Sequence, residues 1–152
     1  MSFRKCLAFG QAGEELVKKF FSGYDELINA PNKKFSLWDF GLRYGTLTVY
    51  YEVKRDTYTA RTGNICIEFE SNGIPSGISL SEADYYIYLV EGEQNYYEIP
   101  VDVLLEMIEE KKYHKVQKGG YKWLSHFYLF NRELFDIYKK TYSESSNSSL
   151  KL

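Results

Sequence analysis

The stretch from Ser36 to Asp56, SLWDFGLRYGTLTVYYEVKRD, constrains the fold of this chain more than any other. From Thr46 to Lys54 it alternates, with Leu47, Val49, Tyr51 and Val53 directed to one face and Thr48, Tyr50, Glu52 and Lys54 to the other. Apolar and aromatic residues on both sides mark a central, largely buried strand. A charge placed on such a strand is costly unless it is needed there. Two-residue spacing sets the Glu52 carboxylate and the Lys54 ammonium side by side. Asp39 arrives from the preceding extended segment through the Gly41–Gly45 turn, so a hairpin brings it beside Glu52. Two carboxylates and a lysine suit metal-assisted phosphodiester hydrolysis. The carboxylates hold a hard cation such as Mg²⁺, while the lysine orients water or offsets phosphate charge. The plain alternative is an edge-strand charge pair near a turn aspartate.

On these residues the chain resembles the PD-(D/E)xK nuclease superfamily, which contains many restriction enzymes and the archaeal-type and phage Holliday-junction resolvases. Trp38-Asp39 stands where that pattern has Pro-Asp, and Glu52-Val53-Lys54 matches E-x-K. Glu109-x-Lys111 and Glu110-x-Lys112 fit the same letters. They end a helix-like run, however, where residues two apart point roughly 200° apart. Strand context therefore singles out Glu52 and Lys54.

The resemblance implies an α/β (α+β) fold, with a restriction-endonuclease-like central mixed β-sheet flanked by helices. It also implies a Mg²⁺-dependent DNA endonuclease, with Mn²⁺ as a substitute, leaving a 5′-phosphate and a 3′-hydroxyl. Asp39 and Glu52 would bind the metal, joined on geometric grounds by the Val53 carbonyl, and Lys54 would position or activate the attacking water. A glutamate on the first helix of such enzymes, often in a Gly-Glu pair as at Gly13-Glu14, reaches toward the metal. The small size leans toward a structure-selective enzyme such as a junction resolvase acting on branched DNA in recombination. A resolvase would be a symmetric homodimer, so that paired cuts are made. The expected setting is the cytoplasm of a bacterial or phage-infected cell.

The first helix is expected from about Gly10 to Tyr24, where Ala12, Gly13, Leu16, Val17, Phe20 and Phe21 form an apolar stripe. Glu14 lies at the edge of that stripe, whereas Glu15 points away, beside Lys18 and Lys19. The alternative for both is simple helix-dipole stabilisation. Further on, Lys33, Lys34, Arg55 and Arg61 are candidate phosphate contacts. Asn64–Glu70 alternates as a strand, and Ser79-x-x-Glu82 has the spacing of a capping box that starts a short helix. The Ser-Gly-Ile turn and Ala-Asp-Tyr-Tyr segment resemble the region after the E-x-K strand in some phage-type relatives. By that resemblance Glu68, Ser76 and Ser79 stand near DNA or metal, with Glu68 a supplementary candidate. Tyr85–Val90 reads as a buried strand paired with Tyr96–Ile99, and Pro100 opens a helix.

Lys111 to Tyr128 carries five lysines and two histidines without an acid, with Tyr113, Tyr121 and Trp123 interleaved around Gly119-Gly120. A glycine loop of lysines and rings suits backbone neutralisation and base stacking, with Lys115, Lys118 and Lys122 as contacts. Its alternative is a solvated helix end followed by a loop. Asn131–Tyr142 reads as a last amphipathic helix, and the serine-rich segment 143–152 as a disordered tail.

A length of 152 residues suits one domain, 1–142, with one core. A net charge of −2 excludes a blanket polycation, so DNA binding must rest on local basic patches. Cys6 and Cys66, far apart and without a CxxC, suggest neither a disulfide framework nor a zinc site. No apolar run approaches the roughly 20 residues of a membrane span, and no signal peptide is evident. Two other functions fit the residues: a non-cleaving nucleic-acid-binding module, and a metal-independent RNase working through His114, Tyr121 and Lys122.

Overall fold

A computed structural model of the protein describes residues 3–143. The elements run α1 (Phe3–Lys18), β1 (Glu26–Asn29), β2 (Phe40–Tyr44), β3 (Leu47–Asp56), the single turn α2 (Thr59–Thr62), β4 (Asn64–Ser71) and β5 (Ile74–Pro75). They continue with β6 (Tyr85–Val90), β7 (Asn95–Pro100), α3 (Val101–Glu109), β8 (Lys115–Gly119), β9 (Ser125–Asn131) and β10 (Lys139–Thr141). Apart from Ser143, the expected tail lies outside the described residues.

The strands form a six-stranded sheet, β1-β2-β3-β6-β7-β10, and a four-stranded sheet, β5-β4-β9-β8. The larger sheet is mixed: β3 runs parallel to β6, and its other pairings are antiparallel. This is the expected mixed α+β architecture, with helices flanking a central sheet.

Alternation along β3 and β6 builds two cores on opposite faces of that sheet. Tyr51, Val53, Ile87 and Leu89 pack on the α1 side with Val17, Phe40 and Leu42. Tyr86, Tyr88 and Val90 point the other way, against Ile65, Ile67 and Phe130 of the smaller sheet and Val101 and Leu104 of α3. Gly13 lets α1 approach closely: a Cβ there would stand 3.2 Å from Arg55 Cδ and 3.3 Å from Leu89 Cδ1. Among the described residues, no helix is long and apolar enough to cross a membrane.

Four local expectations change. Helix α1 starts earlier and ends at Lys18, so Phe20 and Phe21 pack from the turn beyond it. The Ser79-x-x-Glu82 segment makes only a 3₁₀ turn, Gly77–Ser79. Its backbone is held instead by the chain around β3: Glu82 N–H donates to the Leu37 carbonyl and Asp84 N–H to the Tyr50 carbonyl. The lysine-rich glycine loop is a hairpin, in which β8 pairs with β9 from Lys115↔Leu129 to Gly119↔Ser125. The last amphipathic helix is a 3₁₀ segment, Arg132–Tyr138, followed by β10, which pairs with the edge of β7.

Candidate active site

The β2–β3 hairpin forms as its spacing requires, with Phe40 opposite Tyr51 and Tyr44 opposite Leu47. Strand β3 continues past the start of β2, so from Glu52 onward one edge lacks a strand partner on that side. Asp39 covers the gap. Its own N–H donates to the Tyr51 carbonyl at 2.8 Å, and its Oδ2 accepts from Val53 N–H at 2.6 Å. The N–H and carbonyl of one strand residue leave along the same edge. The Val53 carbonyl is therefore directed to the edge that β2 vacates.

Among the described residues, Glu52 is the only charged one that is buried, at 8% exposed. Its Oε1 lies 3.1 Å from Lys54 Nζ, and the Lys54 side chain remains 36% exposed. Glu14 of α1 reaches the same cleft and acts electrostatically on the Asp39 carboxyl. Cys6, Phe9, Glu14, Asp39, Glu52 and Lys54 line one cleft of about 570 Å³.

The electrostatics record how tightly these acids are grouped. Burial pushes the Asp39 carboxyl up to about 6, against the opposing pull of the Val53 N–H hydrogen bond, and Glu14 adds to the rise. Burial likewise raises Glu14 and Glu52 above the usual carboxylate range, with Glu52 acting on Glu14 and Asp39 on Glu52. For Lys54, burial works against the charge, but Glu52, Tyr86 and Asp39 outweigh it and lift its pKa above the ordinary lysine value. Lys54 is thus a firm cation at neutral pH. Three crowded carboxyls with raised pKa values would accept a further positive charge.

Among the described residues, no group of three or more His, Cys, Asp or Glu side chains is arranged to hold a metal ion by itself. The donors that are present suit Mg²⁺ nonetheless, because that ion is commonly held by one or two carboxylates and keeps waters or phosphate oxygens in its other positions.

The remaining expected site residues divide between the acid cleft, the clefts adjoining it and positions outside them. Lys33 lines a neighbouring cleft that shares Glu14 and Asp39 with the first, while Lys34 is exposed and its N–H donates to Asn32 Oδ1. Arg55, expected at DNA, lines the acid cleft and is also braced there: Nε donates to Glu91 at 3.0 Å, Nη1 to the Phe9 carbonyl at 3.1 Å, and the guanidinium lies 3.8 Å from the Phe9 ring centre. Ser76, also expected at DNA, donates to Glu68 Oε2 at 2.9 Å, and Ser79 to the Phe69 carbonyl at 2.8 Å. Glu68 nevertheless stands near enough to raise Glu52. Arg61 and Lys118 line a third cleft, whereas Lys115 is exposed on β8 and Lys122 in the turn before β9.

Tyr113 packs against Tyr128 and Phe130 rather than offering a stacking surface. His114 Nε2 is 3.0 Å from Asn64 Oδ1, and His126 stands against Glu70; neither lines the acid cleft. The two decoy E-x-K matches fall at the end of α3, where Lys111 already has φ +55°.

Two residues near the site carry no sequence signal of their own. Tyr86 pairs with Glu52 across the parallel β3–β6 ladder, and its hydroxyl is buried without a hydrogen-bond partner. Tyr58, in the turn after β3, lines both the acid cleft and the third one. An unremarkable tyrosine becomes notable only through register or turn geometry.

No protein-family model and no curated protein matches the chain. Among solved structures, the bacterial homing endonuclease I-Ssp6803I matches with a TM-score of 0.51 at 15% identity, covering 65% of this chain and 71% of that one. At such identity the likeness concerns the fold alone, and the chain carries an α/β fold in common with a homing endonuclease.

Proposed function

We propose that the protein is a divalent-metal-dependent DNA endonuclease of the PD-(D/E)xK type. The observation that carries this reading is the grouping of Asp39, Glu52 and Glu14 beside Lys54 in one cleft, with Glu52 buried on a central strand. A fold held in common with a homing endonuclease supports it. Asp39, Glu52 and the Val53 carbonyl would hold Mg²⁺, with Mn²⁺ as a substitute. When bound, the ion supplies Lewis-acid polarisation of the phosphate and a water of lowered pKa.

The chain's own groups do the rest. Lys54, fixed against Glu52, donates hydrogen bonds to the attacking water or a phosphate oxygen and offsets developing negative charge. Being protonated, it orients water rather than removing its proton. Glu14, in the same cleft, adds a third carboxylate beside Asp39 and Glu52. Lys33, beside the shared carboxyls, would take an adjacent phosphate.

The finer reading is a structure-selective enzyme that cuts branched DNA to a 5′-phosphate and a 3′-hydroxyl, acting as a homodimer on junctions. The test compares a labelled four-way junction, matched duplex and single strand in Mg²⁺, Mn²⁺ or EDTA, for wild type, Glu52→Gln and Lys54→Ala. Folding of each is checked by circular dichroism. Metal-dependent cutting should fall roughly 100-fold or more in both variants. Cutting that survives EDTA and both substitutions would overturn the metal site and move attention to the Lys111–Tyr128 segment. Binding without cutting on every substrate would favour a non-catalytic module.

A further inference from the structure

The third cleft, about 430 Å³, lies between α2 and the β8–β9 hairpin and adjoins the acid cleft through Tyr58 and Gly120. We infer that it is a subsite for an unpaired nucleotide flanking the scissile phosphate, with Trp123 and Tyr58 as stacking surfaces. The inference rests on the endonuclease reading and narrows its substrate to DNA with unpaired bases next to the cut.

The aromatic surface comes first. Trp123 is 68% exposed and Tyr58 59% exposed, and both line the cleft. Two large rings open to water on the same cleft give a flat π-surface that a base can cover. Lys122 and Trp123 both have positive φ, 57° and 58°, a conformation that bulky residues avoid. That turn sets Trp123 beside the cleft instead of in the core, where Tyr113, Phe130 and Phe135 pack.

Charge is the second observation. Arg61 and Lys118 line this cleft and no carboxylate does, in a chain whose net charge is −2. The Arg61 guanidinium lies 5.5 Å from the Tyr58 ring centre, so the ring and a cation share one surface. Rings flanked by cations suit a base and its phosphate, because every base has a π-face and every linkage a negative charge. Asn64 and Gln117 add amide groups that can meet a base edge.

Continuity with the acid site selects the occupant. The clefts share residues in sequence, the third with the acid cleft and the acid cleft with the one holding Lys33. A strand laid along them would pass its phosphate over Glu52 and Lys54 with a neighbouring base over Trp123. In an intact duplex that base is stacked and paired, so its face is closed to the rings. A junction, flap or single strand offers it freely.

The test measures affinity by fluorescence anisotropy in Ca²⁺ for a duplex and for the same duplex with three unpaired nucleotides. Wild type, Trp123→Ala and Trp123→Phe are compared, and tryptophan emission is followed on titration. Wild type should prefer the unpaired substrate and lose Trp123 emission on binding it. Trp123→Ala should weaken that binding about 5-fold to 100-fold with less than a twofold change on duplex, and Trp123→Phe should restore most of it. Equal affinity of wild type for both DNAs, equal losses on both, or unchanged emission would each overturn the subsite. Metal-dependent cutting that ignores Trp123→Ala would overturn the subsite and leave the nuclease standing. Selective binding without cutting would support the subsite and count against the nuclease.

Discussion

Tyr86 sits where a hydroxyl is hard to justify by packing alone. Its ring is 1% exposed, its Oη has no hydrogen-bond partner, and the charges that act on it are Lys54, Glu52, Asp39 and Glu68. A buried hydroxyl without a partner costs roughly 1–3 kcal/mol in proteins. Tyr86→Phe should therefore stabilise the metal-free protein by about 1 kcal/mol, read from urea unfolding. Destabilisation by more than that amount would show that the hydroxyl has a partner in solution. Sequence alone does not single out this position, because YYIYLV reads as a uniform apolar strand. Only the parallel register with β3 sets Tyr86 against Glu52 and leaves Tyr85 on the opposite face. Asp39, Glu52 and Lys54 are legible for the opposite reason. Their positions follow from period-two alternation and one short hairpin, both local features.

At the scale of elements, the turn after β5 is a brace for β4. Gly77 has φ +52°, and a Cβ there would lie 2.3 Å from the Glu68 carbonyl oxygen. Ser76 grips the Glu68 side chain from the same turn. Gly77→Ala should cost roughly 2–4 kcal/mol, through both the left-handed backbone and the clash. Gly73→Ala, at φ +76° with open space around it, meets the first penalty alone and should cost about 1 kcal/mol. Equal urea midpoints for the two would remove the brace.

The misread elements also have physical causes. Strand β8, KVQKG, is polar and almost wholly exposed, so no apolar face repeats along it and its partner β9 supplies the order. The segment from Arg132 has a helical pattern, but the free edge of β7 captures Lys139–Thr141. Backbone pairing at an open edge there outweighs propensity, with Lys139 opposite Tyr97.

For the whole molecule, the crowded acids couple stability to pH and to divalent ions. Asp39 rises from 3.8 to about 6 on folding, so between those values the folded chain binds more protons than the unfolded one. The stabilisation this gives is complete below about pH 4 and is lost as pH rises through 6, at most about 3 kcal/mol in all. In metal-free buffer the stability of wild type minus that of Asp39→Asn should fall between pH 4 and pH 7. Taking that difference removes the opposite trend of acids such as Glu93, whose hydrogen bond to Arg132 lowers its pKa. At pH 7 a hundredfold excess of Mg²⁺ over its Kd should return about 2.7 kcal/mol to wild type. A difference that stays flat with pH, together with a melting temperature indifferent to Mg²⁺, would separate these carboxyls from any ion.

The way β3 outruns β2 has a consequence for how such a site tolerates change in chain length. Glu52 and Lys54 share a face only by parity. One residue inserted between the Gly45 turn and Glu52 would drive the carboxylate and the ammonium into the packing under α1 and present Tyr51 and Val53 to the cleft. Two inserted residues would restore the faces but move Asp39 out of reach of Val53 N–H. The hairpin is therefore a ruler with one permitted setting, and length variation among chains built this way should collect beyond its ends, in the connections on either side of it.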